Sequence, residues 1–159
     1  MAQIKCYSTS QELLMKSFCK LAEKSYGAFK KTLVISDREE MTTALDNALW
    51  TYSKKNFIPH AKIVDPMSGE HPILITNCLQ SQNLTAQNLI LVNLNSKSLL
   101  ETIKKLSHVE NIKKISIIHD ENIDLSNKIL NDILIKSNIT IEEIKFYKQL
   151  SVDKWSVVT

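Results

Sequence analysis

Short apolar runs alternate with amphipathic stretches along almost the whole chain, and this alternation constrains the fold more than any other feature. Ile4 to Tyr7 and Lys114 to Ile118 suit short strands, and Thr32 to Ile35 and Leu89 to Val92 are short apolar runs rich in branched aliphatic residues, as buried strands are. Ile73-Leu74-Ile75 is a further extended run. Between the runs lie stretches with helical spacing. Thr9-Ser10-Gln11-Glu12 has the spacing of a capping box and opens a helix with Leu14, Phe18, Leu21 and Ala22 on one stripe, which Gly27 would close in a left-handed conformation. Ser36-Asp37-Arg38-Glu39 repeats that spacing ahead of Met41, Ala44, Leu45, Ala48 and Leu49, which recur at i, i+3, i+4, i+7 and i+8. Ser98-Leu99-Leu100-Glu101 caps a third helix carrying Leu99, Ile103 and Leu106, and Asp124 caps a last one with Leu125, Ile129, Ile133 and Leu134.

Three segments break the pattern. From about Thr51 to Gly69 the chain is irregular, with Pro59 and Pro66 opposing helix, and Asn77 to Asn88 reads as a polar loop. Ile139 to Phe146 alternates imperfectly because Glu142-Glu143 interrupts the period, as at an edge strand or a bulge, and Trp155 falls in a short tail. Strands and helices in this order predict an α/β fold, a three-layer Rossmann-like domain with a mostly parallel central sheet and helices on both faces. A single unit spanning residues 1–159 is expected, since 159 residues with 43% hydrophobic content suit one core.

Composition then narrows the function classes. The two glycines, Gly27 and Gly69, lie in no loop that could bring backbone N–H groups onto a phosphate. Asp37 stands where dinucleotide-binding folds present a carboxylate to a ribose, but Cys6-Tyr7-Ser8-Thr9-Ser10 lacks the glycine turn such a site needs, so helix capping is the better reading of Asp37. Cys6, Cys19 and Cys78 are widely spaced and read as buried thiols. His60, His71, His108 and His119 have no metal-ligand spacing, and Asp120-Glu121 beside His119 reads as helix capping rather than acid–base machinery. No catalytic residue, metal or cofactor is therefore expected. Twenty basic residues, of which Arg38 alone is an arginine, face seventeen acidic ones, so any acidic ligand meets mainly lysine. No apolar run reaches membrane-spanning length and no secretory signal is evident, which predicts a cytoplasmic protein.

The segment Ala44-Leu45-Asp46-Asn47-Ala48-Leu49-Trp50-Thr51-Tyr52, followed by Phe57-Ile58-Pro59-His60, resembles the signature of the chi subunit family of bacterial DNA polymerase III: a helix ending in L-D-x-x-L-W, a polar loop, then F-x-P-H. Leu21-Ala22-Glu23-Lys24, the strand Lys31 to Ile35 and Pro72-Ile73-Leu74-Ile75-Thr76 are similar to family segments in the same order. Phe146-Tyr147-Lys148-Gln149 and the later Trp155 look like the ending of alphaproteobacterial chi chains.

The resemblance implies a non-catalytic replisome adaptor, linking the clamp loader to the acidic C-terminal tail of single-stranded-DNA-binding protein and meeting DNA only indirectly. It places Trp50, Tyr52, Phe57, Pro59 and His60 at an interface with the psi subunit or another clamp-loader component. It seeks the tail site on the last helix, where this chain offers Lys128 and Lys136, with Lys145 and Lys148 nearby and Lys154 in the tail as a further cation. Two other classes compete. A nucleotide-binding protein or enzyme on the same scaffold would place its site near Asp37 and His119. Direct nucleic-acid binding would need a basic face reinforced by exposed aromatics, which a net charge of +3 supplies only if the charge is strongly segregated.

Overall fold

The computed structural model describes residues 2–28, 30–53, 58–62, 72–77, 86–106, 112–151 and 154–158. Its elements are β1 (Ala2–Ser8), α1 (Leu14–Gly27), β2 (Thr32–Ile35), α2 (Glu39–Thr51), β3 (His60–Lys62), β4 (Ile73–Thr76), β5 (Asn88–Val92), α3 (Ser96–Leu106), β6 (Lys114–His119), α4 (Asn127–Lys136), β7 (Ile141–Ser151) and β8 (Lys154–Val158). Among the described residues eight strands form one sheet in the order β3-β4-β2-β5-β6-β1-β7-β8. Every pairing there is parallel except β7 with β8. This is the three-layer, Rossmann-like α/β architecture with a mostly parallel sheet that the alternation of runs predicts.

The strands alternate their side chains between two cores, as a sheet covered on both faces requires. Val34, Ile73, Ile75, Ile90 and Val92 meet Leu14 and Phe18 of α1 and Leu45 and Leu49 of α2. On the other face Leu33, Leu89, Leu91, Ile115 and Ile117 meet Leu99 and Ile103 of α3 and Leu130 and Ile133 of α4. The predicted stripes are therefore the buried ones, with Leu21, Met41, Ala48 and Ile129 lying at their partly buried margins.

The helix starts differ from the capping expectations, for a reason visible at each end. Thr9 is drawn away: its hydroxyl donates to the Gln149 side chain on β7. The first turn is instead steadied by Ser10 Oγ, which accepts from the Leu13 N–H at 3.2 Å, and α1 begins only at Leu14. Gly27 is not left-handed; Ala28 closes α1, its N–H donating to the Lys24 carbonyl at 3.1 Å. Ahead of α2 neither Ser36 nor Asp37 caps. Arg38 is the extended N-cap residue without a side-chain cap bond, Ser36 is fully buried with its Oγ unpartnered among the described residues, and Asp37 approaches Arg38 Nε at 3.9 Å. Asn95 Oδ1 accepts from the Ser98 N–H at 2.8 Å before α3, and Ser126 Oγ, not Asp124, accepts from the Ile129 N–H at 3.2 Å before α4.

Strand ends show the remaining differences. β3 lies inside the stretch read as irregular, and Trp155 belongs to β8 rather than to an unstructured tail. The Glu142-Glu143 interruption is a bulge: Ala2 pairs with Ile141, but Gln3 pairs with Glu143, so one residue is passed over. Beyond it β7 runs to Ser151 as an interior strand, with β8 taking the edge. No helix among the described residues is long and apolar enough to cross a membrane.

Candidate functional site

The signature residues converge on one corner, where the end of α2 meets β3. Leu45 and Leu49 anchor α2 in the core, which turns Asp46 and Trp50, one helical turn apart, toward the neighbouring strand. The His60 side chain is wholly buried there. Its Nδ1 lies 2.7 Å from the Ile58 carbonyl, and its Nε2 lies 3.2 Å from both the Asp46 carbonyl and the Asp46 carboxylate oxygen Oδ1. The indole of Trp50 meets the imidazole edge-on, with centroids 5.0 Å apart and planes at 62°. Trp50 nonetheless remains 56% exposed.

A second tie holds this corner from the other side of α2. Lys62 Nζ donates to Glu39 Oε1 at 2.8 Å and to Thr43 Oγ1 at 3.3 Å, bridging β3 to the first turn of α2. The lysine hydrogen bond and charge hold the Glu39 carboxyl below its ordinary range. Tyr52 packs against the α1/α2 core, and Pro59 is half-buried beside His60. Phe57 lies outside the described residues. Four of the five residues expected at a partner interface thus share one corner, and Trp50 is the one presenting a large ring outward. Asp46, part of the motif but given no role from the sequence, is the residue that holds His60, against which the Trp50 ring rests. Its signal was the fixed L-D-x-x-L-W spacing, which puts Asp46 and Trp50 on one helix face.

The four lysines expected to receive an acidic tail do not all converge. Lys128 and Lys136 are exposed on α4, two helical turns apart. On β7 the alternation splits the other pair: Lys148 shares its face with Ile144 and Phe146, which pack toward the α3/α4 core, whereas Lys145 shares its face with Tyr147 on the α1 side. Lys145 is also paired with Glu143 at 3.3 Å. Lys128, Lys136 and Lys148 lie toward one side of the sheet and Lys145 toward the other.

The crevice at the carboxyl ends of the strands exists, with a cavity of about 600 Å³ that includes Asp37, Arg38, Asn93 and Asp120. Its polar groups are engaged with one another. Asp120 Oδ2 accepts from Asn93 Nδ2 at 3.1 Å and its Oδ1 from the Asn122 N–H at 2.9 Å, while its own N–H donates to Asn93 Oδ1 at 3.0 Å. Asn93 reaches this grip from a left-handed backbone with φ of 50°, a conformation asparagine tolerates. His119 is buried beside it, and burial holds its imidazole below the ordinary range, against the opposing pull of Asp120. These bonds tie β5 to β6 and serve the turn after β6. Cys6 and Cys19 are buried thiols, as the sequence suggests; burial pushes each up to about 12. Cys78 lies outside the described residues.

Comparison with known proteins adds the following. Residues 1–127 match the family model described as DNA polymerase III chi subunit, HolC. A protein of Rickettsia prowazekii, strain Madrid E, named probable DNA polymerase III subunit chi, is 32% identical over 161 residues, covering 99% of this chain and 93% of its own. That match includes α4, β7 and β8, most of which lie past the end of the family model. Among solved structures, a chain in the crystal structure of the E. coli DEAD-box protein SrmB bound to regulator of ribonuclease activity A shares the fold, with a TM-score of 0.56 at 8% identity, over 96% of this chain and 93% of that one. The S. cerevisiae Dbp5 C-terminal-domain structure with Gle1 and IP6 does likewise, with a TM-score of 0.53 at 12% identity and the same two coverages. At such identities these two likenesses speak to the fold alone.

Proposed function

Because the chain belongs to the DNA polymerase III chi subunit family, with the accessory replisome role that membership carries, we propose that it is an adaptor joining the clamp loader to single-stranded-DNA-binding protein. In this reading residues 1–159 act as one chi-like unit. The carrying observation is Trp50: a large ring held edge-on against a buried, doubly anchored histidine, yet 56% exposed. An aromatic immobilised in advance loses little side-chain entropy when a partner covers it, which is the usual condition of an interface hot spot. Trp50, with Tyr52, Pro59 and His60, is the docking corner for psi or another clamp-loader component, and the family signature adds Phe57 to this set.

The second half of the function is the tether. An acidic tail with a terminal carboxylate calls for cations beside an apolar surface. Lys128 and Lys136 of α4 with Lys148 of β7 supply these on the α4 side, and Ile135, 73% exposed on α4, supplies apolar area. Lys145 is the weaker member, being paired with Glu143 and directed to the other face. Tethering would raise the local concentration of the clamp loader at coated single strands without any chemistry by this chain.

Calorimetric titration with the C-terminal peptide of the same organism's single-stranded-DNA-binding protein tests the tether. Saturable binding that weakens with salt and in Lys128→Ala or Lys148→Ala supports it. Absence of binding at low salt, both alone and with the partner subunit present, removes it.

A further inference from the structure

We propose that the open face of β1, β7 and β8 beside α1 is a binding site for single-stranded nucleic acid, a direct contact in addition to the protein-mediated one. On this face of the sheet α1 lies over β5, β2 and β6. Toward the β8 edge the sheet carries aromatics instead. Tyr7 and its register partner Tyr147 stack with centroids 5.2 Å apart and planes at 14°, and Trp155 of β8 meets Tyr7 edge-on at 5.3 Å. These partly exposed rings line a cavity of about 480 Å³ between the sheet and α1.

The wall of that cavity is basic. Lys16, Lys20 and Lys24 recur at i, i+4 and i+8 along α1, so each stands one turn, ~6 Å, from the next, and Lys5 joins them from β1. Against these four lysines the described lining contains one acidic residue, Glu23, a local excess of three positive charges. The basic strip continues through Lys24 to Lys30, Lys113 and Lys114 at the opposite strand ends, with Glu142 the acidic residue among them. There Lys114 is held below its ordinary range by burial and then by the charges of Lys5 and Lys24, a crowding that a bound anion relieves.

Two chemistries could answer such a cleft, and its floor discriminates between them. An acidic peptide needs cations and an apolar notch for a side chain; a single strand needs a row of cations for its phosphates and aromatic faces for its bases. A cluster of three partly exposed rings beside a linear lysine row matches the second requirement. At the end of the floor Gln149 is fixed, its Oε1 accepting from the Thr9 hydroxyl and, at 3.0 Å, from Ser17 Oγ. The site is thus preformed rather than assembled by the ligand. It is separate from Trp50 and from the α4 lysines, so it does not depend on either half of the adaptor reading.

The test is fluorescence anisotropy of the full chain with a labelled oligothymidylate about 16 nucleotides long, the upper end of single-fold site sizes. Expected are saturable binding, a log–log salt slope of about −2 to −3 from three or four neutralised phosphates, and at least tenfold weakening in Lys16→Glu/Lys20→Glu with Lys128→Glu unchanged. In a Trp50→Phe background the emission of Trp155 should be quenched on binding. Lack of binding at low salt, or binding indifferent to the Lys16/Lys20 pair, overturns the assignment. So does an acidic peptide that occupies the cleft through those lysines while oligothymidylate does not.

Discussion

The carboxylate of Asp46 and the imidazole of His60 meet at 3.2 Å across the junction of α2 and β3, although 14 residues separate them in the chain. The histidine side chain is wholly buried and the aspartate one-fifth exposed, so the contact is shielded from water on one side only. Removing the Asp46 side chain leaves the ring nitrogen with the Asp46 backbone carbonyl as its remaining partner at 3.2 Å. Asp46→Ala should therefore lower the unfolding free energy by about 1 kcal/mol, the net worth of one hydrogen bond. Urea denaturation measures this directly, and because the imidazole supports the Trp50 ring, the native tryptophan emission should shift in the same variant.

Trp50 should behave oppositely. With 56% of its surface exposed, truncation removes little packing, so Trp50→Ala should change stability by less than about 1 kcal/mol. Binding to the clamp-loader partner should nevertheless weaken by about 2 kcal/mol or more. Co-purification or titration with reconstituted clamp-loader subunits, set beside a urea curve of the same variant, separates the two effects. A large loss of stability with unchanged binding would make Trp50 a structural residue.

Ser36 offers a gain. Its Oγ is buried with no hydrogen-bond partner among the described residues, and an unsatisfied hydroxyl in the core costs about 1–3 kcal/mol. Ser36→Ala keeps the backbone bond from its N–H to the Thr76 carbonyl at 3.1 Å and deletes only the unsatisfied oxygen. The urea midpoint of Ser36→Ala should rise; a fall would mean that the hydroxyl has a partner in solution.

The buried titratable groups set the pH limits of stability. Cys6 and Cys19 have folded-state values raised from 9.0 to about 12, so between these limits the native state holds protons that the unfolded chain releases. Their contribution is complete below pH 9 and is lost as pH rises toward 12. Both thiols should also resist alkylation of the native protein at pH 8, as peptide mapping would show, because the thiolate is the nucleophile. His119 works at the other end. Its value lies below the ordinary 6.5, so its contribution is complete above 6.5 and is lost as pH falls further. His119→Gln should flatten that acid limb in denaturation curves recorded from pH 7 to pH 5.

Local pattern carried much of the secondary structure. The four-residue strand Thr32–Ile35 and the helix stripes of Leu14, Phe18 and Ala22, of Leu45 and Leu49, and of Leu99 and Ile103 were all legible, because apolar periodicity is a property of neighbouring residues. The motif around Trp50 was legible for the same reason, and it pointed to the corner that the structure assembles. Cap positions were not. The capping-box spacing at Thr9 was met by a competing acceptor on Gln149, about as far away in sequence as this chain allows, and Ser36 was carried into the core by the strand that precedes it.

What the sequence determined by itself is the family, the α/β class and the identity of the two buried faces, since these rest on the order and spacing of residues along the chain. What only the tertiary structure decided is which distant residues meet. The insertion of β1 between β6 and β7 brings Tyr7 against Tyr147, and the antiparallel return of β8 adds Trp155 to them. Register on β7 decides which of the two faces Lys145 and Lys148 each take, and the placement of β3 delivers His60 to Asp46. Strand order and register are settled by pairing between segments far apart in sequence, and the hydrogen bonds and packing that select one pairing over another leave no local signature.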